Sequence, residues 1–492
     1  MDSRRLAVVS NRLPVVLGHD DDGNATVHSG SGGLVTAINP VLRDRGGLWI
    51  GWLGRSQEEC AQIPSLQNLL SKAGVDIGHD LETVDLTEEE IEKYYYGFSN
   101  AILWPLFHDL LSKCRFDPGS WQAYKRVNTK FACKVASLTS DQDFIWIHDY
   151  HLFLVARELN RLDAKRSTGF FMHTPFPPLD IFLRLPWRSI ILHAMLDYDL
   201  IGFQTVRDRR NFIQCVRSLV PGARVSGRGQ VAAIKANDHE VRVGVFPISI
   251  DFEEFAGLAS AQEVAEKAWL IHESHPNRKM MLGVDRLDYT KGIPERLLAF
   301  ANALERYPEL RGQLSLVQVV VPSRRKVEEY EALKQEIEQL VGQINGQFAD
   351  MSWTPAHYVF RSLDRTELTA YYRTSEIMLI TPLKDGMNLV AKEYCASSIE
   401  DEGVLILSEF AGAAAQMRDG ALLVNPHDIE GIADAIHQAF FMDKEERRSR
   451  MRRLRESVQR NDIFRWVDSY LRAAIAKDLS DFPPIEQFEQ PV

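Results

Sequence analysis

Apolar runs that do not alternate with polar residues constrain this chain more than any other feature. They are Leu6–Ser10, Phe144–His148, Gly169–His173, Leu200–Gln204 and Val241–Pro247 in the first half. In the second half they are Met280–Val284, Leu314–Val321, Glu376–Thr381 and Val404–Ser408. A strand with one wet face alternates apolar and polar residues, whereas a continuous run fits a strand buried on both faces of a parallel sheet. Helical patterns separate the runs, so the expected class is α/β. We expect two Rossmann-like domains facing across a cleft, with a boundary near Pro247–Asp251. The division is 1–247 for the first domain and 248–455 for the second. A C-terminal helix, 456–478, crosses back to the first domain, and 479–492 form a tail. The whole stretch Lys444–Lys477 reads as helix. Its early part is basic, and Phe464, Trp466, Val467, Tyr470, Leu471 and Ile475 give its later part an apolar stripe.

A chain of 492 residues is long enough for two such domains and a large core. No apolar run approaches the roughly 18–20 residues of a membrane span, and the first apolar stretch is too short for a signal-peptide core. Five cysteines are scattered without a CxxC pair, which fits a reduced cytoplasmic setting and argues against structural zinc. The net charge of −11 disfavours a nucleic-acid coat. It also means that an anionic substrate must be held by local cations and helix ends.

In open parallel sheets ligands bind beyond the carboxyl ends of the strands, so residues just after each run carry the functional reading. The stretch Leu383–Glu393 (LKDGMNLVAKE) follows a buried run, turns at Asp385-Gly386 and enters a helical pattern. Free N–H groups at such a helix start favour an anion. A carboxylate at the turn can hold sugar hydroxyls and Glu393 can hold a ribose, as a nucleotide-sugar enzyme requires. Arg286 and Lys291 follow Met280–Val284 and suit a diphosphate whose charge grows as a bond breaks; the alternative is ion pairing with Asp285 or Asp288. Arg324 and Arg325 end the next run. Gly30–Leu34 precedes a helical pattern near Arg12 and is either a phosphate loop or a surface turn. His148, Asp149 and His151 lack the usual metal spacing, so no metal is expected and Asp149 is read as an acceptor for a polar substrate. His173 is either a satisfied core histidine or a site residue. The aromatic stretches Trp49–Trp52 and Tyr94–Trp104 are either core or a sugar-facing patch.

Together these motifs resemble the trehalose-6-phosphate synthase family of retaining glucosyltransferases, which has the GT-B fold. The stretches SNRLPV (10–15), GSGGL (30–34), GGLWIGW (46–52), YYYGFSNAILWPLFH (94–108), WIHDYHL (146–152) and HTPFP (173–177) carry the likeness. So do DRLDYTKGIPER (285–296), PSR (322–324), INGQF (344–348), DGMNLVAKEY (385–394) and EFAGAA (409–414).

The resemblance implies that Arg286 and Lys291 hold the donor diphosphate. It assigns Asp385 to the donor glucose, with Gly386, Met387, Asn388, Leu389 and Val390 giving backbone contacts and Glu393 the ribose contact. It places Gly33 near phosphate and His173 by the donor sugar. It puts Arg12, Trp49, Tyr95, Trp104, Asp149, His151 and Arg324 around a glucose-6-phosphate acceptor. The loop Asp20–His28 is a possible flap.

The implied reaction moves glucose, with retention, from a nucleoside-diphosphate-glucose to glucose-6-phosphate. UDP-glucose is the expected donor; Ser362-Leu363, at the expected base pocket, leave ADP and GDP open. No cofactor or metal is expected. The partners are small-molecule substrates, with neither nucleic acid nor membrane, and the chain is expected to form a homo-oligomer. An osmoprotectant or stress role follows from the product. The alternatives are a glucosylglycerol-phosphate synthase acting on glycerol-3-phosphate, and a non-catalytic regulatory homologue.

Overall fold

The structure is a computed structural model. It describes residues 5–19, 25–30, 35, 38–39, 41–43, 46–61, 66–73, 78–227, 229–236, 239–274, 278–323 and 328–476. Within these limits the chain divides into two compact units. One runs to Ile248 and resumes at Trp466; the other is Ser249–Arg465.

The first unit is built on a nine-stranded sheet. Its strands are β1 (Leu6–Arg12), β4 (Leu48–Trp52), β5 (Asp80–Thr83), β6 (Phe144–His148), β7 (Ser167–Phe171), β8 (Leu200–Phe203), β9 (Arg224–Ser226), β10 (Val231–Ala236) and β11 (His239–Val245). They lie in the order β5-β4-β1-β6-β7-β8-β11-β10-β9. The pairings from β5 to β11 are parallel, and β10 and β9 add an antiparallel edge. The order reverses between β1 and β6. A separate hairpin pairs β2 (Val15–His19) with β3 (Ala25–Ser29). It takes in the end of the loop expected to act as a flap, of which residues 20–24 lie outside the described residues, as do Gly33, Arg324 and the tail.

The second unit carries a six-stranded sheet. Its strands are β12 (Lys279–Arg286), β13 (Leu314–Val321), β14 (Ala356–Val359), β15 (Ile377–Ile380), β16 (Val404–Ser408) and β17 (Leu422–Val424). All pair in parallel, in the order β14-β13-β12-β15-β16-β17. This is the doubly wound order, with its reversal between β12 and β15. The apolar runs are buried along nearly their full length, as two covered sheet faces require.

The segment read as one helix is two. Helix α1 (Lys444–Arg460) ends at Asn461, and Asp462 starts α2 (Ile463–Ile475) by accepting from the Arg465 N–H at 2.8 Å. The basic face of α1 is paired: Lys444 and Arg448 reach Glu402, and Arg452 and Arg455 reach Asp401. The apolar stripe of α2 seals the first unit's sheet. Trp466 donates from Nε1 to Phe246 O at 3.0 Å, and Tyr470 donates to Phe170 O at 3.1 Å while stacking on Trp146. A Cβ at Gly169 or Gly202 would collide with Tyr470, so those strand positions admit only glycine without movement.

Candidate functional site

In the second unit the strands flanking the reversal end in two loops that hold each other. After β12, Asp288 accepts from the backbone and hydroxyl of Thr290, both at 3.0 Å. The turn closes at Gly292, in the left-handed region at φ 63°. A Cβ there would run into Thr381 O, so this glycine is required by conformation and by space. The Leu383 N–H donates to Thr290 O at 2.9 Å, which ties the loop after β15 to the loop after β12.

This tie brings two predicted residues together. Lys291 Nζ lies 2.6 Å from Asp385 Oδ2, and both side chains are largely buried. Asp385 also accepts from the Met387 N–H and from Asn388 Nδ2, each at 3.2 Å. Asn388 is left-handed at φ 69° and accepts from the Ala391 N–H, which caps the helix Leu389–Ser397. Leu389 and Val390 are the first residues of that helix, where backbone N–H groups have no partner within the helix.

Arg286 is exposed and makes no ion pair among the described residues. Neither acid considered as its partner holds it: Asp285 is taken by the buried Arg296, and Asp288 by Thr290. Glu393 accepts from Tyr372 Oη at 2.9 Å, and burial raises its pKa.

Sequence reasoning gave no role to the turn Phe410–Ala413. The Asp385 N–H donates to Phe410 O, the Gly412 N–H to Asp385 O, and the Ala413 N–H to Met387 O. A Cβ on Gly412 would collide with Gly386 O, so the two turns approach as only glycine allows. Lys392 was also passed over. It is buried against Gln416 Oε1 at 2.7 Å, and burial pulls its pKa down to about 7.

In the first unit the reversal between β1 and β6 gathers a different set. The Arg12 guanidinium lies 4.1 Å from the Trp52 ring centre and 5.3 Å from that of Tyr95. Tyr95 stacks on His151 at 6.0 Å. Gly54, at φ 92°, leaves the room that Arg12 occupies. Trp49 is not part of this group: it is buried, donates to Ser10 Oγ at 2.8 Å and stacks on His79. Residues three apart on a strand face opposite ways, which is why Trp52 meets Arg12 and Trp49 does not. Trp104 is buried against His108 and Tyr150, and Tyr150 packs on His151. Tyr94–Leu103 lie in a π-helix, Ile91–Leu103, which sequence periodicity did not suggest.

Asp149 adopts φ 72° and turns its carboxylate back onto the HTPFP turn. It accepts from the His173 N–H, the Thr174 N–H and Thr174 Oγ1, each at 3.3 Å. Burial raises its pKa to about 6 against the lowering effect of these bonds. His173 is buried, with Nε2 3.0 Å from His148 Nδ1 and Nδ1 3.4 Å from Gln204 Nε2. Burial lowers its pKa to about 3. Among the described residues no three His, Cys, Asp or Glu side chains group as metal ligands, and no helix is long and apolar enough to cross a membrane.

The family model for glycosyltransferase family 20 matches residues 4–476. The chain is 43% identical over 474 residues to a trehalose-6-phosphate synthase of Mycolicibacterium smegmatis, covering 95% of this chain and 92% of that one. It is similar to the crystal structure of an α,α-trehalose-phosphate synthase (UDP-forming) from Burkholderia xenovorans in complex with glucose-6-phosphate. There the TM-score is 0.86 at 34% identity, over 96% of this chain and 99% of that one. A structure of trehalose-6-phosphate from E. coli bound with UDP-2-fluoro glucose matches with TM-score 0.85 at 37% identity, over 96% of this chain and 98% of that one.

Proposed function

As this chain belongs to glycosyltransferase family 20, we propose that it transfers glucose with retention from UDP-glucose to the anomeric hydroxyl of glucose-6-phosphate, yielding α,α-trehalose-6-phosphate. The observation that carries the reading is the cation arrangement where the second unit's strand order reverses. Lys291 is fixed by Asp385, and Arg286, the last residue of β12, is exposed and has no ion-pair partner among the described residues. The donor diphosphate supplies that partner. The helix start at Leu389 and Val390 adds N–H donors, and Glu393 takes the ribose. Asp385, with Gly386, Met387 and Asn388 around it, holds glucose hydroxyls.

As the glycosidic bond breaks, negative charge accumulates on the departing phosphate, where Arg286 and Lys291 stabilise it. A carboxylate already bound to Lys291, a backbone N–H and Asn388 is a poor nucleophile. This favours front-face attack, in which the departing phosphate takes the acceptor proton, over a covalent intermediate. In the first unit Arg12 is offered to the acceptor phosphate, with Trp52, Tyr95 and His151 lining the sugar. Gly33 and Arg324 belong to the same reading by resemblance.

No essential metal is part of this scheme, and turnover that survives exhaustive chelation is expected. Self-association is part of the reading too, and light scattering on the purified chain decides it. The main test pairs glucose-6-phosphate or glycerol-3-phosphate with UDP-, ADP- or GDP-glucose and identifies products by mass and NMR. Trehalose-6-phosphate from UDP-glucose is the expected result. Glucosylglycerol phosphate overturns the acceptor assignment, and no product from any pair overturns the activity.

A further inference from the structure

The hydrogen bonds around His173 fix its proton as well as its position. Gln204 follows β8, and the Ile248 backbone N–H donates to its Oε1 at 2.8 Å. The atom that accepts from a backbone N–H is the amide oxygen, so the other terminal atom is the NH2, a donor. That NH2 faces His173 Nδ1 at 3.4 Å, which makes Nδ1 an acceptor. The proton of the neutral ring then sits on Nε2, which donates to His148 Nδ1 at 3.0 Å. His148 in turn carries its own proton on Nε2. That N–H is buried and has no hydrogen-bond partner among the described residues.

Both rings are enclosed, at 0% and 4% exposure, and burial disfavours the imidazolium form of each. A buried donor left without an acceptor is destabilising and calls for a reason. A phenylalanine at 148 would avoid the orphan, but it would leave the His173 Nε2–H facing a ring with no lone pair. What His148 supplies is an acceptor nitrogen aimed at His173. The relay is anchored where the chain leaves and re-enters the first unit: Ile248 is its last residue before the second unit, and Trp466, bonded to Phe246 O, is the first on return.

We propose that Gln204 and His148 are positioning residues that hold His173 as the Nε2–H tautomer, with both ring nitrogens facing groups of the first unit, so that His173 carries no proton in the reaction. The proposal rests on the functional reading only for the expectation that kcat responds to the state of His173.

Gln204→Glu tests it. The glutamate still accepts from the Ile248 N–H, but it turns an acceptor toward His173 Nδ1 and so demands a proton there. Long-range proton–nitrogen NMR on enzyme labelled with 15N-histidine reads the tautomer, with His173→Gln assigning the signals. In the unsubstituted enzyme His173 shows a protonated Nε2 and a bare Nδ1; in Q204E it shows a protonated Nδ1. In Q204E kcat falls about tenfold or more while both KM values stay within about threefold, because orientation at the reacting centre is lost and not ground-state binding. A protonated Nδ1 in the unsubstituted enzyme overturns the proposal, and so does a reversed tautomer in Q204E with unchanged kcat.

If Q204E does not fold, His148→Asn and His148→Phe replace it. The asparagine oxygen stands in for the acceptor nitrogen and phenylalanine has none, so a kcat about tenfold higher in H148N than in H148F is expected. Equal values overturn the proposal. Absence of glucose transfer by the unsubstituted enzyme defeats the functional reading, whereas the tautomer is decided by NMR alone.

Discussion

The two strand-order reversals solve the same geometric problem with opposite chemistry. In the second unit the loops present charge: Lys291 and Asp385 form an ion pair, and Arg286, at the end of β12, is exposed with no ion-pair partner among the described residues. In the first unit the sequence sets an exposed cation, Arg12, on rings, in front of buried groups whose charged forms burial disfavours. Arg12 rests on Trp52 and Tyr95, His148 and His173 share one hydrogen bond, and burial pushes the Asp149 carboxyl toward its protonated form. A diphosphate that gains charge during reaction calls for the first kind of site. A sugar phosphate, with one anionic end, hydroxyls on its rim and C–H faces, calls for the second. The contrast shows that a crevice at a strand reversal is only a place, and the side chains at its lip decide which ligand it takes.

The largest expected effect falls on the charged side. Arg286→Ala removes an exposed cation with no ion-pair partner among the described residues, so folding is expected to be unaffected while turnover drops by about 10²–10³. Near-normal turnover would erase the contrast between the two units. Next comes the neutral side, through Asp149. Its pKa in the folded protein is raised from 3.8 to about 6, so between those values the folded state holds more protons than the unfolded state. Stability from this group therefore falls as pH rises from about 4 to 6, by on the order of 3 kcal/mol at most. Asp149→Asn lacks this dependence and should gain on the unsubstituted protein through that window, as denaturant melts at several pH values will show. A gap that does not vary with pH breaks the claim that the first unit favours neutral groups.

Trp52→Ala strips the surface under Arg12. A cation–π contact of about 0.5–2 kcal/mol predicts a several-fold rise in KM for the sugar phosphate with little change in KM for the nucleotide sugar. A rise confined to the nucleotide sugar would reverse the assignment of the two units. The smallest effect is that of Tyr372→Phe, which leaves Glu393 without its donor and should raise the nucleotide-sugar KM by about 1 kcal/mol equivalent. Calorimetry with UDP distinguishes lost binding from a slower chemical step.

Much of this was legible in the sequence because it is local. The buried runs at Phe144–His148, Leu314–Val321 and Val404–Ser408 coincide with strands, since burial on both faces writes itself into consecutive residues. The turn at Asp385-Gly386 was legible because such a pair after a buried run marks a strand-to-helix turn, whereas the left-handed cap at Asn388 was not read from the sequence. What escaped depends on partners far along the chain. Trp49 and Trp52 look alike in sequence, and only the pleat and the position of Arg12 separate them. Gln204 is an ordinary strand-end residue until Ile248 and His173 close on it. The π-helix arises from a register of backbone bonds that side-chain periodicity does not encode. The short edge strands β9 and β10 and the break at Asn461-Asp462 were missed because each turns on a few residues inside longer patterns.

The closure of the first unit by Trp466 and Tyr470 also bears on how the chain is made. Gly169 and Gly202 keep a space that Tyr470, a residue some 270–300 positions later, helps to fill. During synthesis the sheet of the first unit therefore waits, with the Trp146 face uncovered, until nearly the whole second unit has been translated. At about 5–20 residues per second that wait lasts on the order of tens of seconds. Through that interval apolar surface of the first unit stays open to aggregation, and a chain stopped just short of residue 466 would lack both rings that cover it.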